Sequence, residues 1–155
     1  MMAKHLCMRV VLIALSATLM SACSTPQVKV YLSSTANLNM NNAKEPLPVV
    51  VRIYQLSDPK LFENATFNEL WKNDLAVLGN SLLRKDSLTL DPASHQKILL
   101  ERHDQTRFVA LMAAFNNQPN NSWRVVKKSG GSFLGIKTST NIQALLKDNI
   151  IEIED

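Results

Sequence analysis

The sequence predicts a mainly β fold, a two-sheet β-sandwich with a short added helical segment. Three observations carry that expectation. Around eight short segments either alternate apolar and polar residues or run apolar, with turn residues between them. Two of these, "PVVVRIYQL" at 48–56 and "RFVALMAAF" at 107–115, are largely apolar on both faces and so ask for cover on both. Between them, Phe62, Phe67, Leu70, Trp71, Leu75, Leu78 and Leu82 recur mostly three or four residues apart. That spacing gathers them on one helical face, able to cover a sheet from outside.

The elements follow in order. "VKVYL" at 28–32 alternates and reads as a strand. Residues 33–48, "SSTANLNMNNAKEPLP", form a long polar connection of a kind that is usually functional or mobile. Its Leu38 and Met40 have no obvious core to join, and Leu38 either tucks under the sandwich or serves as a small apolar anchor at the surface. In 48–56, Val49, Val51 and Ile53 share one face and Val50, Tyr54 and Leu56 the other, with Arg52 as an interruption. Pro59 opens the helical stretch, where its missing N–H does no harm. Thr66 with Glu69 has the spacing of a capping box for a second helix.

"SLTLD" at 87–91 is a strand ended by Pro92. "QKILLERH" and "RFVALMAAF" flank Asp104-Gln105-Thr106, a short connection that reads as a hairpin. "NNQPNN" is a loop, "SWRVVKK" a strand and "SGGSFLG" a glycine-rich turn. "TNIQALL" and "IIEIE" complete the set, the last reading as an edge strand with an acidic tail.

The amino terminus has a different character. Lys4 and Arg9 precede an apolar stretch from 10 to 20, and small residues Ser21-Ala22 lie just before Cys23. That order is the layout of a secretory signal peptide, and the run is too short and too interrupted for a permanent span. Met20-Ser21-Ala22-Cys23 resembles the bacterial lipobox, which implies a lipid on the Cys23 thiol and cleavage before it. Ser24 stands where an Asp favours inner-membrane retention, so the resemblance implies the outer membrane. The expected organisation is a signal peptide at 1–22, a lipidated tether at 23–27 and a β-sandwich domain at 28–155. Cleavage removes Cys7, leaving a single cysteine and no intramolecular disulfide. It also removes two cations, so 15 Lys and Arg face 13 Asp and Glu in the remaining 133 residues. A net charge of +2 without a basic block excludes a nucleic-acid grip.

Catalytic motifs are absent. Gly130, Gly131 and Gly135 lack phosphate-loop spacing, and no G-x-S-x-G or H-E-x-x-H occurs. His103-Asp104 falls at a turn, where solvated polar residues are expected, and His95 has only Asp91 nearby. No metal site and no cofactor are expected beyond the covalent lipid. Trp71 lies on the apolar helical face, while Trp123 either caps the core or sits at a contact surface.

The ordered set of segments resembles one family. Cys23 in its lipobox is followed by an Asn-containing loop and "PVVVRIYQLSD" at 48–58; Phe62, Phe67 and Leu70 come next. "DLAVLGNSLLRKDSLTLDP" at 74–92, "FVALMAAFNN" at 108–117 and "WR" at 123–124 complete the pattern. Together they are similar to the outer-membrane lipoprotein of type VI secretion systems, the TssJ (SciN, VasD) family. The resemblance implies a transthyretin-like sandwich and a non-enzymatic scaffold, facing the periplasm, that binds the periplasmic carboxy-terminal domain of the inner-membrane protein TssM. It also implies that the loop after the first strand contributes to the contact: Asn37, Leu38, Asn39, Met40, Asn41, Asn42, Ala43, Lys44 and Glu45. Relatives more often carry Asp and Gly where this chain has 41–44. The alternatives are a periplasmic carrier or inhibitor lipoprotein binding a small ligand or cell-wall enzyme and, further off, a hydrolase using His95 or His103.

Overall fold

The computed structural model describes residues 25–130, 132–133 and 136–154. The leader, Cys23, Ser24, Gly131 and Gly135 lie outside the described residues. Strand β1 (Gln27–Ser34) alternates as expected, and Val28, Val30 and Leu32 are buried. It pairs antiparallel with β4 (His95–Glu101) and parallel with β9 (Thr140–Lys147). With β10 (Ile150–Glu154) at the edge, the first sheet has the order β10-β9-β1-β4. The second sheet contains β3 (Leu82–Leu90), β2 (Val49–Leu56), β5 (Phe108–Ala113) and β6 (Arg124–Lys128), in the order β3-β2-β5-β6. Its pairings are all antiparallel. A two-stranded pair, β7 (Ser132–Phe133) with β8 (Ile136–Lys137), occupies the glycine-rich stretch.

The two strands that are apolar on both faces are the central pair of the second sheet. Val51 opposes Ala113 and Ile53 opposes Leu111, all fully buried. The other face is roofed by α1 (Lys60–Asn64) and α2 (Phe67–Leu78). Phe62, Leu70 and Leu78 of the roof are fully buried, and the Phe62 ring lies 5.4 Å from that of Tyr54. Thr66 closes the foreseen capping box: its hydroxyl accepts from the Glu69 N–H, and the Glu69 carboxylate accepts from the Thr66 N–H at 2.7 Å. Among the described residues no helix roofs the first sheet, and Leu99 is about half exposed at 51 %. Among the described residues the buried apolar core runs from Val28 to Ile151.

Four expectations need correction. Asp104-Gln105-Thr106 does not close a hairpin, because β4 and β5 belong to different sheets. The buried side chain of Gln55 holds this crossing: its Oε1 accepts from His103 N and Thr106 Oγ1, both at 2.8 Å, while its Nε2 donates to Glu101 O. A short polar turn serves hairpin and crossing alike, so the local sequence does not separate the two. Second, Leu75 is 68 % exposed and Asp74 buried in its place. Asn73 leaves helical geometry at φ −140°, ψ 34°, which shifts the phase of the apolar face. Third, Leu82 belongs to β3, paired with Leu56 beside a register shift, rather than to the helical face. Fourth, β1 continues through Ser34, which shortens the following loop.

Candidate partner interface

The loop after β1 begins at one end of the sandwich, and three other turns converge there. Ser34 donates from N–H to Ser94 O and from its hydroxyl to Asp91 O, at 2.9 and 2.6 Å, holding the β3–β4 turn. Thr35 N–H reaches Leu146 O, and the Asn37 side-chain amide donates to the Asp148 carboxylate, holding the β9–β10 turn. Asn39 Oδ1 accepts from Asn116 N at 2.7 Å, which adds the loop after β5.

Within the loop a root and an apex separate. Leu38 is fully buried in the core and Asn39 is only 3 % exposed, its Nδ2 donating to Pro48 O at 3.0 Å. Of the two readings of Leu38, the structure selects the tucked one, because its side chain packs under the loop with the core. Neither Leu38 nor Asn39 presents a side chain to a partner, which corrects their place among the candidate contacts. Asn39 has φ 50°, a left-handed conformation that Asn tolerates better than most residues.

The apex is tied to itself. Asn41 Oδ1 accepts from the N–H groups of Ala43 and Glu45, both at 2.9 Å, and Asn41 Nδ2 donates to the Glu45 carboxylate. Backbone bonds from Asn41 N to Glu45 O and from Lys44 N to Asn41 O complete it. Asn42, Ala43, Lys44 and Glu45 are exposed, Met40 and Asn41 partly so, and Asn37 is exposed but engaged by Asp148. Asp148 and Asn116, which shape this end, carry no local signal beyond being turn residues, and only long-range folding brings them here.

The remaining candidates are placed differently. His95 is the first residue of β4 and His103 lies two residues past its last, so they are not brought together. His103 Nδ1 accepts from Gln105 N–H at 3.2 Å as part of the crossing turn. Among the described residues no group of three His, Cys, Asp or Glu is arranged to hold a metal. Trp123 is 3 % exposed and meets Phe67 edge-on at 5.3 Å, so it caps the core. Trp71 stacks on Phe67 and carries the Arg52 guanidinium 4.1 Å above its ring.

Arg52, the apparent interruption in β2, is part of a buried polar cluster that sequence reasoning missed. Asp74 accepts from Arg52 at 3.2 Å, from Lys85 at 3.0 Å and from the Tyr54 hydroxyl at 3.1 Å. Burial pushes the Tyr54 pKa up to about 12, so its hydroxyl remains a donor. Arg124 donates to Phe62 O and Ala65 O at the end of α1, and burial lowers its pKa. These cations pin the roof to the sheet. A shallow hollow of about 570 Å³ on the unroofed sheet is lined by Tyr31, Ser33, His95, Lys97, Gln143 and Glu154.

A helix-roofed β-sandwich with one bare sheet and a self-bonded loop behind its first strand defines the class of module. Residues 26–146 match the family described as Type VI secretion lipoprotein, VasD, EvfM, TssJ, and the chain belongs to that family. Membership places it among membrane-anchored envelope lipoproteins of a secretion system, not in an enzyme family. No helix among the described residues is long and apolar enough to cross a membrane.

Solved structures agree on the fold. The chain is similar to the T6SS lipoprotein TssJ1 from Pseudomonas aeruginosa, at 25 % identity and TM-score 0.75, over 84 % of this chain and 96 % of that one. It is also similar to Serratia marcescens Lip, a membrane-bound component of the type VI secretion system, at 19 % identity and TM-score 0.76, over 85 % and 98 %. A chain solved under the description of the T6SS protein TssM C-terminal domain from EAEC matches at 22 % identity and TM-score 0.68, over 83 % and 98 %. A comparison with curated proteins found no significant match.

Proposed function

We propose that the chain, cleaved after Ala22 and lipidated at Cys23, is an outer-membrane anchor facing the periplasm. In this reading it holds the secretion membrane complex by binding the periplasmic carboxy-terminal domain of a TssM-like inner-membrane protein. The observation that carries it is the layout of β1. The tether enters that strand at Gln27, and the loop leaves it after Ser34, at the opposite end. Eight residues of strand separate the two by roughly 23 Å at about 3.3 Å per residue. A domain pulled from both sides is thus loaded along a strand that is hydrogen-bonded on both edges. Family membership supports the choice of a partner from the secretion machinery.

The contact surface in this reading is the apex, Asn41 to Glu45, with Met40 and Asn37 at its border. Its internal bonds hold it in one shape before a partner arrives, which lowers the ordering cost of binding. Leu38 and Asn39 serve by holding the apex up.

Titration of residues 24–155 with the periplasmic domain of the cognate TssM-like protein tests this. A complex with Kd at or below tens of micromolar, roughly −6 kcal/mol or better, is expected. Replacing Asn42, Lys44 and Glu45 together by Ala should weaken it at least about tenfold with the melting curve unchanged. If the unaltered domain forms no complex, the scaffold reading fails; if the triple variant binds as well as the original, the apex is not the contact.

A further inference from the structure

Two hollows meet at the end of the sandwich where the tether enters. One, of about 770 Å³, carries Arg102, Arg107, Lys128, Asp58 and Asp104 in its lining. The other, of about 890 Å³, is bordered by the tether residues Thr25 and Pro26 together with Arg84, Glu101, Arg102 and His103. Arg102, Asp104 and Gln105 line both, and Arg102 is the cation among them. Its N–H donates to Pro26 O at 3.0 Å, and its guanidinium donates to Thr138 O, Thr106 O and Gly130 O. Arg102 Nε is buried and has no partner among the described residues.

The linings of the two hollows set four cations, Arg84, Arg102, Arg107 and Lys128, against three acids, Asp58, Glu101 and Asp104. Glu101 pairs with Arg84 at 3.0 Å, Asp58 accepts from Lys60 N–H at the start of α1, and Asp104 is also engaged within the chain. Arg107 and Lys128 are exposed. Among the described residues the loop end shows no such cation excess: Lys44 and Lys147 stand there with Glu45, Asp91 and Asp148.

The tether decides what these cations face. From Cys23 to Gln27 the chain can span at most about 14 Å, at 3.3–3.6 Å per residue. A lipid seated at Cys23 therefore brings this end of the domain to the headgroup layer, where each cation near an anionic surface raises partitioning about fivefold.

We propose that this end is a docking face for phospholipid headgroups of the membrane that carries the anchor. Arg107 and Lys128 meet headgroup phosphate from one hollow, and Arg102 forms the rigid wall between the two. The proposal rests on the anchor reading above. Two-point attachment, by acyl chains and by headgroup contacts, sets the sandwich upright and turns its loop end away from the membrane.

Vesicle sedimentation tests it. Residues 24–155 are mixed at low ionic strength with vesicles of phosphatidylethanolamine and phosphatidylglycerol. Binding that falls with added salt is expected, and Arg107→Glu with Lys128→Glu should lower it at least about tenfold. Lys44→Glu, at the opposite end, should change it by less than about twofold. Both replaced side chains are exposed, and a melting curve checks the fold. Should the double variant unfold, Arg107→Gln and Lys128→Gln singly are expected to lose about fivefold each. No binding by the unaltered domain, or equal binding by the variants, overturns the proposal. That domain carries no lipid, so its failure leaves the anchor standing, whereas absence of lipid label from the full chain removes the anchor without touching the vesicle result.

Discussion

The two ends of this sandwich solve one problem with different chemistry. At each, chain segments must pass between sheets, and their backbone polar groups must find partners once water is excluded. The loop end uses neutral amides and hydroxyls: Ser34 and Asn39 bond to turns from other strands, and Asn41 bonds within its own loop. The tether end uses Gln55 and the guanidinium of Arg102, whose donors reach three carbonyls. Amides satisfy backbone in both senses, donor and acceptor, and add no charge of their own. A guanidinium only donates, and it brings charge with it. The difference teaches that closure of a fold and the electrostatic character of its surface are decided together.

The sharpest break of the comparison removes the tether's purpose. Cys23→Ser should abolish lipid labelling and move the protein wholly from the membrane to the soluble fraction; label that persists would show that the lipobox reading is wrong. Next is the loop root. Leu38→Ala should cost about 2–5 kcal/mol in denaturant unfolding, the usual range for a fully buried leucine. An apex change such as Asn42→Ala should stay within about 0.5 kcal/mol. Equal losses would mean that root and apex are not distinct.

At the tether end, Gln55→Ala strands His103 N–H and the Thr106 hydroxyl together, while Glu101 O keeps its bond from Arg84. Each group left without a partner costs about 1–3 kcal/mol unless water enters, so a loss of about 2 kcal/mol or more is expected from urea unfolding.

The smallest expected effect lies at the start of α2, which packs beside Trp123 through Phe67. The hydrogen bonds from Thr66 hold Glu69 below its ordinary value of 4.5. A carboxylate with a depressed folded pKa stabilises above its unfolded value, and the contribution is lost as pH falls through the folded one. Glu69→Gln should therefore be slightly less stable than the original at pH 7, with the gap closing below about pH 4.5. A gap that is flat with pH would remove the charge from the cap's account.

Several elements were legible because their cause is local. Alternation in β1, the capping box at Thr66 and the apolar faces of β2 and β5 follow from side-chain period alone. The site was only partly legible. Asn-rich composition marks residues 37–45 as a loop, but nothing local separates buried Leu38 and Asn39 from exposed Asn42 and Lys44. The same limit hid the crossing at Asp104 and the kink at Asn73, where one polar residue looks much like another.

By itself, then, the sequence determined a β-rich chain, two strands that must be covered on both faces and a helical segment able to cover one of them. Those follow from hydrophobic period and residue chemistry within a few positions. Tertiary structure alone decided that β1 lies parallel to β9, that β4 and β5 part into different sheets, and that Asp74 rather than Leu75 faces inward. It also set the tether and the Asn-rich loop at opposite ends of one strand. Pairing between segments more than a hundred residues apart, as between β1 and β9, is chosen by the combined burial of both sheets, and no local window contains that sum.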